Sequence, residues 1–302
     1  MKNSLNTILI ATDFTEKSTN ALLLAMKMAS RHHSRVIIVH NIDNFFVIDK
    51  SGKQLLGADI VKDNVERAEN ALEKLKISLA EEFPRLFIET VLKHDNLIHG
   101  INEVVESEDV DLVICGTSGK QNFLQVLIGS LSYEILTGCN TSVLLVPEQC
   151  RNYTFEKILV PVRVLDDLLN KIDISIAIAE KNKGIINLFG ISGEDNVSEI
   201  KTVFEEVRQT LQKKSQEYKA QFVMTSDKAT QISDYSKDAE VDIIILNYQD
   251  ENSWRSFFLD NFFKQIINNT DIPLFFLKNK YGKKEVLPNA NTGYDITLPH
   301  PG

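Results

Sequence analysis

The residues of this 302-residue chain whose types and spacing could do chemistry lie between Val110 and Ser132. An apolar run through Val113, Ile114 and Cys115 ends at Gly116; Gly119 follows, and Gly129 and Ser130 come after nine further residues. A run of that kind suits a strand buried on both faces, as in a parallel sheet. Glycine just past its carboxyl end lets backbone approach a ligand closely and allows positive φ. Gly129 and Ser130 precede a helix-forming segment from Leu131, whose unpaired first amides and positive dipole end favour an anion. The Ser130 hydroxyl could also cap that helix. Two sets of donors could therefore face one polyphosphate. A plain glycine turn followed by an ordinary helix cap explains the same residues, so spacing alone leaves both readings open. The pattern is not a Walker A loop, because the segment from Gly116 to Gln121 lacks the longer spacing and the Ser/Thr after lysine; no Gly-x-Gly-x-x-Gly occurs either.

The elements that must position these residues can be read from periodicity. A strand is expected at Thr7 to Thr12, a turn from Asp13 to Ser18, and a helix through Asn20 to Ala29. Further strands are expected at Val36 to Asn41, Leu86 to Leu92 and Val110 to Cys115, and Ser142 to Val146 is an apolar segment at a sheet edge. Asp59 to Ala80 is a long amphipathic helix, with Ile60, Val65, Ala68, Leu72, Leu75 and Leu79 on one stripe, and Leu97 to Val105 is a short one. Asp43 to Ala58 reads as an irregular loop with a polar tip from Lys50 to Lys53. Alternating strands and helices imply an α/β fold with parallel crossovers, which put a ligand crevice at the strands' carboxyl ends. Asp13, Asn41 and Gly116 all fall on that edge.

Length and 43 % hydrophobic content suffice for two domains. A formal net charge of −9 argues against nucleic acid as a partner. Three cysteines, Cys115, Cys139 and Cys150, are too few and irregular for a disulfide framework or a zinc site, which favours a reducing compartment. No apolar run approaches membrane-spanning length and no signal-peptide core is evident, so a cytoplasmic protein without a membrane partner is expected.

The chain repeats itself. Lys157 to Arg163 aligns with Thr7 to Asp13 at an offset of 150 (157 minus 7). Val241 to Asn247 aligns with Val110 to Gly116 at 131 (241 minus 110), as does Ile272 to Leu277 with Thr141 to Val146. The difference of 19 residues points to material the second copy lacks, for which the loop after Asn41 is the natural place. A period this long implies a tandem pair of domains, 1–150 and 151–279, followed by a polar tail, 280–302, expected to be disordered or loosely docked. The second copy has lost the chemistry: Asn247, Asp250, Asp260 and Asn261 replace Gly116, Gly119, Gly129 and Ser130, and Arg163 replaces Asp13. Acids stand where amides would face phosphate. Trp254 to Phe263, rich in phenylalanine, admits core packing or an exposed partner patch.

Gly116-x2-Gly119-x9-Gly129-Ser130 resembles the nucleotide-binding signature of the universal stress protein family, Gly-x2-Gly-x9-Gly-Ser/Thr. Thr7 to Asp13 resembles that family's first strand, Val36 to Asn41 its second and Ser142 to Pro147 its last. The resemblance implies two tandem Rossmann-like domains of the adenine nucleotide alpha hydrolase type, each an open five-stranded parallel sheet with helices on both faces. It implies ATP with a divalent cation such as magnesium, held in the first repeat. Carried over residue by residue, it gives Asp13 a place near adenine or ribose, with backbone contacts at Ala11 and Thr12. Asn41 stands at the strand end that touches adenine, where the family has an aliphatic residue, and Leu131 and Ser132 join Gly129 and Ser130 around phosphate. Asp13 as a turn former, Lys120 as a solvated loop lysine and Cys115 as a core residue remain the plain alternatives; His40 receives no catalytic role. The resemblance further implies that the last strands of the two repeats pair within the chain, and a homodimer of whole chains is compatible with it. With preorganised amides but no nucleophile triad or general base, binding without fast turnover is expected. A slow ATPase or self-phosphorylating enzyme, and a nucleotide-free interaction scaffold, are the competing readings.

Overall fold

The computed structural model describes residues 5–42, 46–49, 52–55, 58–94, 96–118, 130–163, 168–248 and 261–278, with the backbone alone at 46–49, 52–55, 58–59, 130, 261 and 264. Gly119, Lys120, Gly129, Asp250, Trp254, Asp260 and the tail 280–302 lie outside the described residues.

The first half runs β1 (Thr7–Thr12), α1 (Glu16–His32), β2 (Arg35–Asn41), β3 (Phe46–Asp49), β4 (Gly52–Leu55), α2 (Ala58–Glu82), β5 (Ile88–Lys93), α3 (Leu97–Ser107), β6 (Leu112–Thr117), α4 (Ser130–Gly138) and β7 (Ser142–Pro147). The second runs β8 (Lys157–Val162), α5 (Leu168–Asn182), β9 (Ile185–Ser192), α6 (Val197–Lys213), β10 (Tyr218–Met224), α7 (Lys228–Asp238), β11 (Ile243–Asn247), α8 (Asn261–Asn269) and β12 (Leu274–Leu277). These are two tandem Rossmann-like halves, each a five-stranded parallel sheet. The strands lie in the order β10-β9-β8-β11-β12-β7-β6-β1-β2-β5. All neighbours are parallel except β12 and β7, which run antiparallel with Phe275 opposite Leu144.

The central strands β1, β6, β7 and β11 are largely apolar because both their faces are covered. Alternate residues of β1 divide between the two layers: Ile8 and Ile10 join a core with α1 and α5, whereas Leu9 joins one with α3 and α4. Each core cluster continues from the first half into the second. The connecting segment is tied to α1, where Asn20 Nδ2 donates to the Pro147 carbonyl at 3.0 Å and Tyr153 Oη to Asn20 Oδ1 at 2.6 Å.

The strand registers locate the extra residues of the first half. Arg35 pairs with Thr7 and Ile185 with Lys157, so the offset is still 150 (185 minus 35) at the second strand. Ile88 and Tyr218 hold equivalent places on the third strands, at 130 (218 minus 88). The insertion therefore lies between β2 and β5. It is not the irregular loop expected from composition: β3 and β4 pair as an antiparallel hairpin, Phe46 opposite Leu55 and Asp49 opposite Gly52. Main-chain pairing satisfies a segment whose side chains gave no clear period. Left-handed residues also recur at matching places, His33 with Lys183 and Asp109 with Glu240, each closing a helix.

Candidate functional site

Between β1 and β6 the strand order reverses, and the carboxyl ends of the two strands part to leave a crevice. A cleft of about 140 Å³ opens there, lined by Ala11, Thr12, Asp13, Lys17, Ser18, Val39, Asn41, Leu97, Cys115, Gly116, Leu131, Ser132 and Ile135. The fold thus brings Ala11, Thr12, Asp13, Asn41, Gly116, Leu131 and Ser132 together from four separate elements. Ser130 opens α4 directly before Leu131. One wall, built from Val39, Leu97, Leu131 and Ile135, is apolar. The opposite side carries Asp13, Lys17 and Ser18 from the turn into α1.

That turn is built by short-range hydrogen bonds. Thr15 caps α1, its hydroxyl accepting from Ser18 N at 3.5 Å. Asp13 Oδ1 accepts from Thr15 N at 3.1 Å and from Thr15 Oγ1 at 2.5 Å, so Asp13 does form the turn. Its other oxygen, Oδ2, lies 3.8 Å from Lys17 Nζ. Burial pushes the Asp13 carboxyl up, but hydrogen bonds from Thr15 and Ser18 and the nearby Lys17 charge outweigh it and leave the group below the ordinary carboxylate range. Asp13 is therefore an anion at neutral pH. The next residue, Phe14, adopts φ of 59°, a costly backbone state for an aromatic residue. It is held by the Phe14 N to Thr12 Oγ1 bond at 3.1 Å and by a ring contact with His40 at 4.6 Å between centroids. His40 Nδ1 donates to the Thr12 carbonyl at 2.8 Å, which makes it a brace for the β1 terminus.

Gly116 has a different physical reason from the one its spacing suggested. A Cβ at this position would stand 2.4 Å from the Lys17 carbonyl oxygen and 2.7 Å from its carbon. Glycine here admits the backbone of α1, while Gly116 still lines the cleft. Ser132, the third residue of α4, fixes the other side by donating its Oγ to the Gly116 carbonyl at 3.0 Å. Lys17, Ser18, Val39, Leu97 and Ile135 escaped the sequence reading as cleft residues. No spacing signal marked them: Asp13 precedes the Thr15 cap and so lies outside α1, and its approach to Lys17 depends on the turn between them.

At the corresponding place of the second half the described residues include an arginine packed on two aromatic rings. At offset 131, Phe262 and Phe263 stand for Leu131 and Ser132. The Arg163 guanidinium, in place of Asp13, lies 3.9 Å from the Phe262 ring centroid and 5.3 Å from that of Phe263. Both rings and Arg163 are buried. Lys171, only 1 % exposed, donates to the Pro161 carbonyl at 2.5 Å. Burial, and then the Arg163 charge, hold its ammonium well below the ordinary lysine range. The aromatic stretch ending at Phe263 is core at its described end.

Among the described residues no group of three or more His, Cys, Asp or Glu side chains could hold a metal ion. No described helix is long and apolar enough to cross a membrane. Cys115, Cys139 and Cys150 are free thiols and buried.

Comparison with known proteins agrees with this architecture. The model of the universal stress protein family matches residues 5–147, the first half up to the end of β7. Universal stress protein MJ0577 of Methanocaldococcus jannaschii is 30 % identical over 154 residues, spanning 46 % of this chain and 93 % of its own. Universal stress protein MJ0531 of the same organism is 28 % identical over 152 residues, spanning 48 % and 84 %. The solved structure of a universal stress protein from Archaeoglobus fulgidus superposes with a TM-score of 0.72 at 17 % identity over 91 % of this chain and 98 % of that one, a likeness of fold across both halves. With its first sheet matched in sequence and both sheets matched in fold, the chain belongs to the universal stress protein family.

Proposed function

We propose that the protein is a nucleotide-binding regulatory protein that holds ATP in the first repeat alone. The observation that carries this reading is the contrast between two equivalent crevices. In the first, an apolar wall of Val39, Leu97, Leu131 and Ile135 faces a charged turn at Asp13 and Lys17, and the crevice leads to the start of α4. In the second, Arg163 packed on Phe262 occupies the same place. A flat base suits the apolar wall, hydroxyl groups suit the ionised Asp13, and phosphate suits helix amides at the start of α4, which Gly129 directly precedes in sequence. ATP therefore fits the residues present. A divalent cation would be held chiefly by phosphate oxygens and water, with Asp13 as the nearby carboxylate.

The same reading assigns residues 1–150 to the binding domain, 151–279 to a supporting domain and 280–302 to a tail. The antiparallel union of β7 with β12 gives the supporting domain the role of a built-in dimer partner, covering an apolar edge that would otherwise be open. Three buried free thiols fit a cytoplasmic setting. The test is to purify the chain without added nucleotide and identify what denaturation releases. About one adenine nucleotide per chain is expected, or saturable binding if the chain is isolated empty. No binding even at millimolar ATP would leave an interaction scaffold, and steady phosphate production would make the protein an enzyme.

A further inference from the structure

Among the described residues lining the first cleft, Lys17 is the one cation and Asp13 the one anion. Its main chain is pressed against Gly116, where a Cβ would stand 2.4 Å from its carbonyl oxygen, while its ammonium reaches back to within 3.8 Å of Asp13 Oδ2. The side chain thus spans from the Gly116 end of the cleft to the Asp13 turn. Asp13 is held ionised, so without Lys17 the described wall would present an uncompensated carboxylate to any anion. The pair is long and each side chain remains about a third exposed, 30 % for Lys17 and 35 % for Asp13. Ion pairs of this kind are weak, so the ammonium can turn toward a ligand at little cost. At the equivalent positions of the second half the sequence carries Arg163 and Asp167, with the signs exchanged. The fold itself therefore does not dictate which sign stands at either place.

We infer that Lys17 is the specificity-determining residue by which this cleft distinguishes phosphorylated from unphosphorylated nucleosides, its ammonium leaving Asp13 for a phosphate oxygen. This rests on the reading of the first cleft as an adenine-nucleotide site. Asp13, relieved of the pair, is then available to a ribose hydroxyl.

The experiment is calorimetric titration of the full chain with ATP, AMP and adenosine, for the wild type, Lys17→Met and Lys17→Arg, at low and high salt. Methionine keeps most of the apolar stem and removes the charge. A hydrogen bond to a charged group sets the scale, so Lys17→Met is expected to weaken ATP and AMP by about tenfold and to leave adenosine within roughly twofold. Lys17→Arg should retain the preference, and the wild-type preference should shrink as salt rises. Equal losses for adenosine and ATP, or no loss for either, would overturn the inference. Should Lys17→Met fold poorly, the wild-type ratio of AMP to adenosine affinity and its salt dependence still decide: a ratio near unity, insensitive to salt, refutes it while leaving the nucleotide site intact. A wild-type chain that binds none of the three removes the nucleotide reading and the role of Lys17 with it.

Discussion

Replacing Gly116 with alanine separates what this glycine does for the fold from what it does for a ligand. The added methyl would stand 2.4 Å from the Lys17 carbonyl oxygen, 2.7 Å from the Lys17 carbonyl carbon and 3.1 Å from Ser18 N. Real Cβ contacts essentially never fall below 3.0 Å, so the first turn of α1 has to retreat by more than half an ångström. Those atoms are backbone, and no rotamer change relieves them. Retreat also strains the Thr15 cap and the Thr12 Oγ1 to Ser18 Oγ contact at 3.3 Å. Overpacking of this kind costs about 1–3 kcal/mol. The urea midpoint of Gly116→Ala should fall accordingly with an unchanged slope, because the unfolded surface is the same. ATP affinity should fall too, since Asp13 and Lys17 ride on the displaced turn. A Gly116→Ala protein as stable as the wild type would refute the packing argument and return Gly116 to a purely ligand-facing role.

Two further predictions concern the rest of the molecule. Burial, and then the charges of Arg31, Lys181 and His33, push the His32 imidazole down to about 4, and its Nε2 finds no hydrogen-bond partner among the described residues. The unfolded chain takes up this proton near 6.5, so the contribution is fully present above that pH and is lost as pH falls from 6.5 toward 4. The drop is about 3 kcal/mol, and His32→Gln should flatten that part of the stability profile; a variant with an unchanged profile would contradict the assignment. Arg163→Ala removes a cation packed on Phe262 and should cost about 1–2 kcal/mol without creating a second nucleotide site, because Phe262 and Phe263 remain. Appearance of a second ATP site in this variant would show that the arginine alone closes the cleft.

Much of this architecture is legible in the sequence because parallel strands buried on both faces leave continuous apolar runs. Thr7 to Thr12 falls where the strand is expected, Ser142 to Pro147 where the family resemblance puts the last strand, and Lys157–Val162 within the Lys157 to Arg163 that the repeat marks. β5 is shifted, Ile88–Lys93 against an expected Leu86 to Leu92, because it is an edge strand with half-exposed residues and a weaker apolar signal. The hairpin of β3 and β4 escaped notice because its strands are four residues long and the intervening Lys50-Ser51 carries no glycine-asparagine turn signature. At the site, Asp13, Asn41 and Gly116 were readable as strand ends. Lys17 and Ser18 were not, since their place depends on α1 crossing β6, a contact between residues a hundred positions apart. Nor does spacing tell that Arg163 would fold onto Phe262. Substitution at the motif positions announced a lost site, but not what would fill it.

Titration calorimetry with ATP tests most directly whether the first repeat alone takes the nucleotide. The wild type should bind with a stoichiometry of about one, and Gly119→Val should abolish the heat. A stoichiometry near two, or heat undiminished in Gly119→Val, would place the ligand outside the first-repeat loop and contradict the account.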